Sequence, residues 1–310
     1  MKTLLIPIGA LILGYLFRSF RWLDKADAGR IVLFILKFIT PVIILLAIWK
    51  IKINDTGLLV LPLIGFLLTL ACFIPAYLMA RALRLKNEQT GIYLNSAGFS
   101  NIGYTLGGFI AFSLFGEAGF GLTVIYCLYY GLCFYIIGFG IAGRFGKRKI
   151  KGSVLSIKAL FQEGVRIFPF IGMIIGGALN LSNITRPEIF TEINGFLIPA
   201  ATFSYMFAVG LTFSPSRVFK YAREALLLCT IKFLYAPLIA FFLIRIFSFL
   251  LASNPLAVKV IMLESFMPVA LSTLVLPVVF DLDQDLANAN WLITTLIFAA
   301  LFPIFMHFLP

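Results

Sequence analysis

Three ionisable side chains lie deep inside otherwise apolar runs: Lys37, Lys232 and Glu264. Charges at such depth are expensive in lipid and mark functional positions by default. Glu264 opens the run Glu264-Ser265-Phe266-Met267-Pro268-Val269-Ala270-Leu271-Ser272-Thr273. Pro268 lacks the amide that would bond the Glu264 carbonyl, so the carboxylate sits at a helix break beside a freed carbonyl. Counted from Pro255 at about 1.5 Å per residue, it lies roughly 13 Å deep. A structural salt bridge is the plainer alternative.

The run from Asn95 to Gly108 holds two Asn, two Ser, one Thr and four Gly. Close helix packing through Gly103-x-x-x-Gly107 accounts for the glycines. The amides and hydroxyls exceed what packing needs. They suit a helix broken at mid-membrane, whose freed backbone groups line a cavity. Lys37 and Lys232 lie roughly 10–12 Å inside Arg30 and Glu224. Snorkelling to the surface is the bland alternative for either. Two Lys against one Glu leave a surplus positive charge, which an anionic ligand or a neutral lysine would resolve. Asp281-x-Asp283-x-Asp285 mimics the opening of a calcium loop, but lacks its Gly and closing Glu, and reads as a solvated turn.

The elements that position these residues follow from composition. Of 310 residues, 61% are hydrophobic and 12% charged, with 34 Phe against one His. Soluble chains are about 45–50% apolar and about 25% charged, so an all-α polytopic membrane protein is expected. Ten candidate helices, near 3–17, 30–48, 57–80, 90–112, 118–142, 165–180, 191–212, 224–248, 256–279 and 287–308, use up the chain. No stretch remains for a soluble catalytic domain. Lys2 followed by Thr3–Phe17 could pass for a signal peptide, but Arg18 and Arg21 follow directly and no cleavage site appears. Cys72, Cys127, Cys133 and Cys229 lie in apolar runs without CxxC spacing, and His307 alone supports neither a metal site nor a Ser-His triad. No cofactor is expected.

The net charge of +12 belongs to topology and not to nucleic acid. Seventeen Lys/Arg fall in the loops after spans 1, 3, 5 and 7, against six on the other side: Lys2, Lys50, Lys52, Arg186, Arg245 and Lys259. An integral protein of the cell (inner) membrane is expected, with both termini on the non-cytoplasmic side and the basic 144–164 segment cytoplasmic. That segment divides the chain into halves, 1–143 and 165–310. At an offset of 162, Pro7 falls on Pro169, Gly14 on Gly176 and Pro75 on Pro237. Five spans per half put the second half in from the opposite face, giving two inverted five-helix repeats, an architecture of secondary transporters.

Taken together, the chain resembles the auxin efflux carrier family of permeases, within the bile-acid/arsenite/riboflavin transporter group. The resemblance covers nearly the whole length. It rests on Lys37-x-x-x-Pro41, Gly98-Phe-Ser-Asn101-Ile-Gly103-Tyr, Phe115-Gly116-Glu117, Lys232-x-x-x-x-Pro237 and Glu264-Ser-Phe-Met-Pro268. It implies ten helices, with discontinuous helices 4 and 9 crossing where each unwinds, and elevator-type movement of small organic anions. Leu106 and Gly108 stand where the family usually has Gly and Pro. In sodium-coupled bile-acid relatives a Glu of helix 9 and an Asn of helix 4 help bind sodium, and Glu264, Asn101 and Ser100 look like those positions.

The leading expectation is secondary transport of a small mono- or dicarboxylate. The substrate set is Lys37, Asn95, Ser100, Asn101, Gly103, Lys232, Met267, Pro268, Ser272 and Thr273. The ion-coupling set is Ser100, Asn101, Glu264 and Ser265, taking H+ or Na+, with sodium at Glu264 and Asn101. Expected partners are the anion, the coupling ion, the lipid bilayer and a second copy in a homodimer. A cation/proton antiporter and a bile-acid-type symporter are the alternatives of the same fold. A membrane enzyme lacks nucleophiles and acids here, and a non-transporting receptor is a further alternative.

Overall fold

The computed structural model describes residues 2–51, 56–148, 167–182, 184–212 and 219–309. Most of the 144–164 segment therefore lies outside the described residues. Among those residues the chain is helical, with one isolated antiparallel bridge, Ser100 to Val269, and no strand. Six helical stretches are long and apolar enough to cross a membrane: Ala26–Lys50, Gly57–Ala82, Leu106–Phe145, Ile189–Thr212, Phe219–Ile246 and Gln284–His307. Leu5–Ser19, Phe168–Leu181 and Leu271–Phe280 are shorter apolar helices. Lipid offers the backbone no hydrogen bonds, so apolar runs of this length satisfy their own as helices. Large side chains such as Phe249 (90% exposed) and Phe196 (74%) face outward, which water would penalise and acyl chains do not.

The helices used below are α1 (Lys2–Ser19), α2 (Lys25–Phe34), α3 (Thr40–Lys50), α4 (Val60–Ala82), α5 (Asn87–Gly98) and α6 (Leu106–Tyr126). They continue with α7 (Ile167–Leu181), α8 (Ile189–Thr212), α9 (Ala222–Thr230), α10 (Ala236–Ile246), α11 (Pro255–Ser265) and α12 (Gln284–Phe308). Two compact units arise, each drawn from both halves of the sequence.

The first unit draws on Met1–Leu58, Gly103–Ile125 and Ile157–Phe213. Two helix pairs in it pack backbone against backbone. A methyl on Gly14 of α1 would land on the Phe207 carbonyl of α8, and one on Gly210 would land on Leu11. Gly172 of α7 meets Pro41 of α3 in the same way, and Gly176 meets Leu45. Gly14→Ala and Gly172→Ala should each cost about 1–3 kcal/mol, because helix backbones must separate to admit the methyl. Gly9→Ala and Gly177→Ala meet nothing within 4 Å and should hold or slightly raise the melting temperature in detergent, since Ala favours the helix over Gly. Equal melting temperatures for all four variants would refute the close-contact account.

The second unit draws on Leu59–Ile102, Tyr126–Ser156 and Ser214–Pro310. Its core gathers Ile92, Phe99, Phe134, Phe280 and Leu286. Phe99 is held edge-on by Phe134 at 5.0 Å, Tyr130 at 5.6 Å and Phe73 at 6.0 Å between ring centroids. At one end, Asp283 caps α12 by accepting the Leu286 N–H at 2.9 Å, and it also accepts from Tyr221 at 2.6 Å and Gln89 at 3.2 Å. Burial alone would raise this carboxyl. The hydrogen bonds from Tyr221, Leu286 and Gln89 outweigh it and hold the group below its ordinary 3.8. Its stabilisation is thus complete above the ordinary value and lost as pH falls through the lowered one. Asp283→Ala should cost about 1 kcal/mol near neutrality, as for a lost cap, with a melting-temperature deficit that closes under strong acid. A deficit independent of pH would remove the charged form from the explanation.

Candidate functional site

Two of the runs singled out in the sequence are interrupted, and their interruptions meet within the second unit. Helix α5 ends at Gly98, and Phe99 is extended at φ −105°, ψ 124°. Helix α11 ends at Ser265, and the chain resumes helical form only at Leu271. Between these ends the Asn101 N–H donates to the Pro268 carbonyl at 2.7 Å, and the Ala270 N–H donates to the Phe99 carbonyl at 3.1 Å. Pro268 cannot donate, and here its carbonyl serves as acceptor across the break. The Val269 N–H is taken by the Thr294 hydroxyl at 3.2 Å. Gly103 follows in the left-handed region at φ 79°, a conformation glycine adopts without strain. It belongs to the interruption, so the Gly103-x-x-x-Gly107 spacing is not a face of one continuous helix.

Lys232 and Glu264 both point into this region. Lys232 is 1% exposed, and its Nζ donates to the Ala97 carbonyl at 2.8 Å, the Phe99 carbonyl at 3.1 Å and Ser100 Oγ at 2.9 Å. It occupies a π-helical turn, Ile231–Tyr235, in which the Ala236 N–H bonds five residues back to Ile231. Pro237 has no N–H to continue the α ladder, which favours such a turn, and π turns recur at functional sites. Glu264, 1% exposed, lines a small cavity with Thr69, Cys72, Ser100, Tyr126 and Tyr129. The cavity has room for about one water-sized sphere, roughly 10 Å³.

The remaining candidates divide by location. Asn95 is buried, and its Nδ2 donates to the Gly91 carbonyl at 2.9 Å, while its Oδ1 accepts no hydrogen bond among the described residues. Ser265 turns back to the Met262 carbonyl at 2.7 Å, and Thr273 to the Ala270 carbonyl at 2.7 Å. Ser272 pairs with the Tyr130 hydroxyl at 2.8 Å. Met267 is fully buried. Lys37 is in the other unit, on the π turn Ile35–Ile39, and is exposed. Protein does not enclose Lys37, and among the described residues the lysine enclosed by protein is Lys232.

In the sequence, Glu117 stands out only through the family likeness of Phe115-Gly116-Glu117. Gly116, at φ 64°, joins two helical stretches of α6, and Glu117 begins the second. Its carboxylate is 6% exposed and accepts from Arg186 Nη1 at 2.9 Å and Nη2 at 2.6 Å, Lys50 at 3.0 Å and Asn194 at 2.8 Å. Arg186 also donates to the Leu46 carbonyl at 3.0 Å. Lys50 and Arg186 read as loop charges in the sequence, and only their convergence on one carboxylate shows the network.

No family model matches the chain. It is 28% identical over 300 residues to an uncharacterized transporter of Methanocaldococcus jannaschii, covering 95% of this chain and 94% of the relative. It is 25% identical over 297 residues to an uncharacterized transporter of Methanothermobacter thermautotrophicus, covering 96% and 94%. A helical integral membrane protein is thus the class defined by the fold. Transporter relatives along almost the whole chain support, within that class, a membrane transporter and not an enzyme.

Proposed function

We propose that the chain is a secondary active transporter of a small mono- or dicarboxylate, of the auxin efflux carrier type. The observation that carries this reading is the pairing of two interrupted helices, Asn101 N–H to Pro268 carbonyl, beside the buried ammonium of Lys232. Interrupted helices supply the unpaired backbone groups from which transporter sites are built. The helical turn restarting at Leu271 offers N–H groups to a carboxylate, and Lys232 supplies positive charge. In this reading Asn95, Ser100, Asn101, Gly103, Met267, Pro268, Ser272 and Thr273 surround the anion, and Lys37 is the alternative to Lys232 as its counter-charge. Glu264, with Ser100, Asn101 and Ser265, handles the coupling ion.

The reading includes ten helices in two inverted repeats, 1–143 and 165–310, joined by a cytoplasmic 144–164 linker, with both termini on the non-cytoplasmic side of the cell membrane and two copies forming a homodimer. The glycine contacts support the repeat: Gly14 and Gly176, equivalent at an offset of 162, each meet the backbone of a partner helix. A sodium-coupled symporter is the second reading, favoured by the small cavity where Glu264 meets Thr69 and Ser100 among apolar residues such as Leu68 and Ile102. Uptake of a labelled carboxylate panel into proteoliposomes, under imposed pH and sodium gradients, tests both. Saturable accumulation of one acid supports the transporter reading, and no accumulation of any refutes it.

A further inference from the structure

The three oxygens around Lys232 Nζ form a cation site at the end of a half-helix. Helix α5 stops at Gly98, so its last carbonyls have no intrahelical donors and carry the negative end of the helix dipole. Two oxygens from this chain end, those of Ala97 and Phe99, converge with Ser100 Oγ on one point, and the Lys232 nitrogen lies 2.8–3.1 Å from all three. Carbonyls at the C-terminal ends of broken half-helices are the donors that hold Na+ in transporters of this architecture. An ammonium brings three donors and one positive charge to the same place.

We propose that the Lys232 ammonium is a tethered cation, filling a monovalent-cation position at the end of α5 and freeing the chain from sodium there. The inference deepens the transporter reading and rests on it for its meaning in the cycle. The competing account makes Lys232 a structural staple of the helix end, with no ion equivalent to it. The two differ in what replaces the ammonium. If the position is a cation site, removing the side chain leaves three converging oxygens that sodium can fill. If it is only a staple, the cleft collapses or takes water.

The test is the melting temperature of the purified protein in detergent, with sodium titrated against choline and no substrate present. Wild type and Lys232→Arg should respond alike to sodium, with no shift beyond the one any coupling site at Glu264 gives them both. Lys232→Ala should melt lower in choline and recover with sodium, by about 5 °C or more at a hundredfold excess over the dissociation constant. Lys232→Met, whose stem fills the space without charge, should show no recovery. If Lys232→Ala does not accumulate in folded form, Lys232→Gln, which keeps amide donors and frees part of the space, carries the same titration. Absence of a sodium response in Lys232→Ala, or in Lys232→Gln where that is used, overturns the proposal. So does a sodium response of the variant no larger than that of wild type. Because no transport is measured, this outcome is separate from failure of the carboxylate reading, which appears as wild type accumulating none of the acids.

Discussion

Glu117→Ala should lower stability by about 3–5 kcal/mol, the range for breaking a buried ion pair from one side. Arg186 is 5% exposed at its side chain and gives both terminal nitrogens to this carboxylate. Removing the carboxylate leaves its guanidinium buried with the Leu46 carbonyl and Thr191 as remaining acceptors. Asn194, fully buried, loses the acceptor of its side-chain amide as well. Lys50 contributes less, since it is half-exposed and can turn to water. The expected result is a large fall in melting temperature in detergent, with poor recovery of monodisperse protein. Pairing the change with Arg186→Met should restore part of the loss, because the stranded charge goes with it. A loss under about 1 kcal/mol, typical of an exposed pair, would show that water reaches the network.

The contrast between Glu117 and Glu264 explains what the sequence could disclose. Glu264 stands out because it lies inside an apolar run with a proline four residues on, a local pattern. The Asn95–Gly108 run stands out for the same reason: its glycines and amides oppose a continuous helix in lipid. Both interruptions are therefore local in cause, although their pairing through Asn101 and Pro268 is not. Glu117 sits between glycine-bearing helical stretches, and its partners lie at positions 50, 186 and 194. No local pattern links those positions. Lys37 and Lys232 were equivalent as sequence, each a few residues before a proline. The structure gives both a π turn, yet exposes one and buries the other. Which face of a helix meets a neighbour depends on tertiary packing, and apolar residues on every face conceal it.

The remaining large effect concerns Glu264 in the transport cycle. Lys232 directs its three hydrogen bonds to Ala97, Phe99 and Ser100, so neutralising Glu264 need not strand the lysine. Glu264→Gln keeps the shape of the side chain in a cavity that holds about one water-sized sphere. Folding should survive, with a melting temperature near that of wild type. Transport should change in kind: the anion should exchange across proteoliposome membranes but stop at its own electrochemical equilibrium, whatever pH or sodium gradient is imposed. A carrier extracts work from an ion only through a group whose occupancy differs between its states, and Gln neither titrates nor carries charge. Loss of folding instead would make Glu264 a structural partner of its surroundings, as Glu117 is. Uptake still driven by the gradient would remove Glu264 from coupling and move the search to other titratable groups of the carrier.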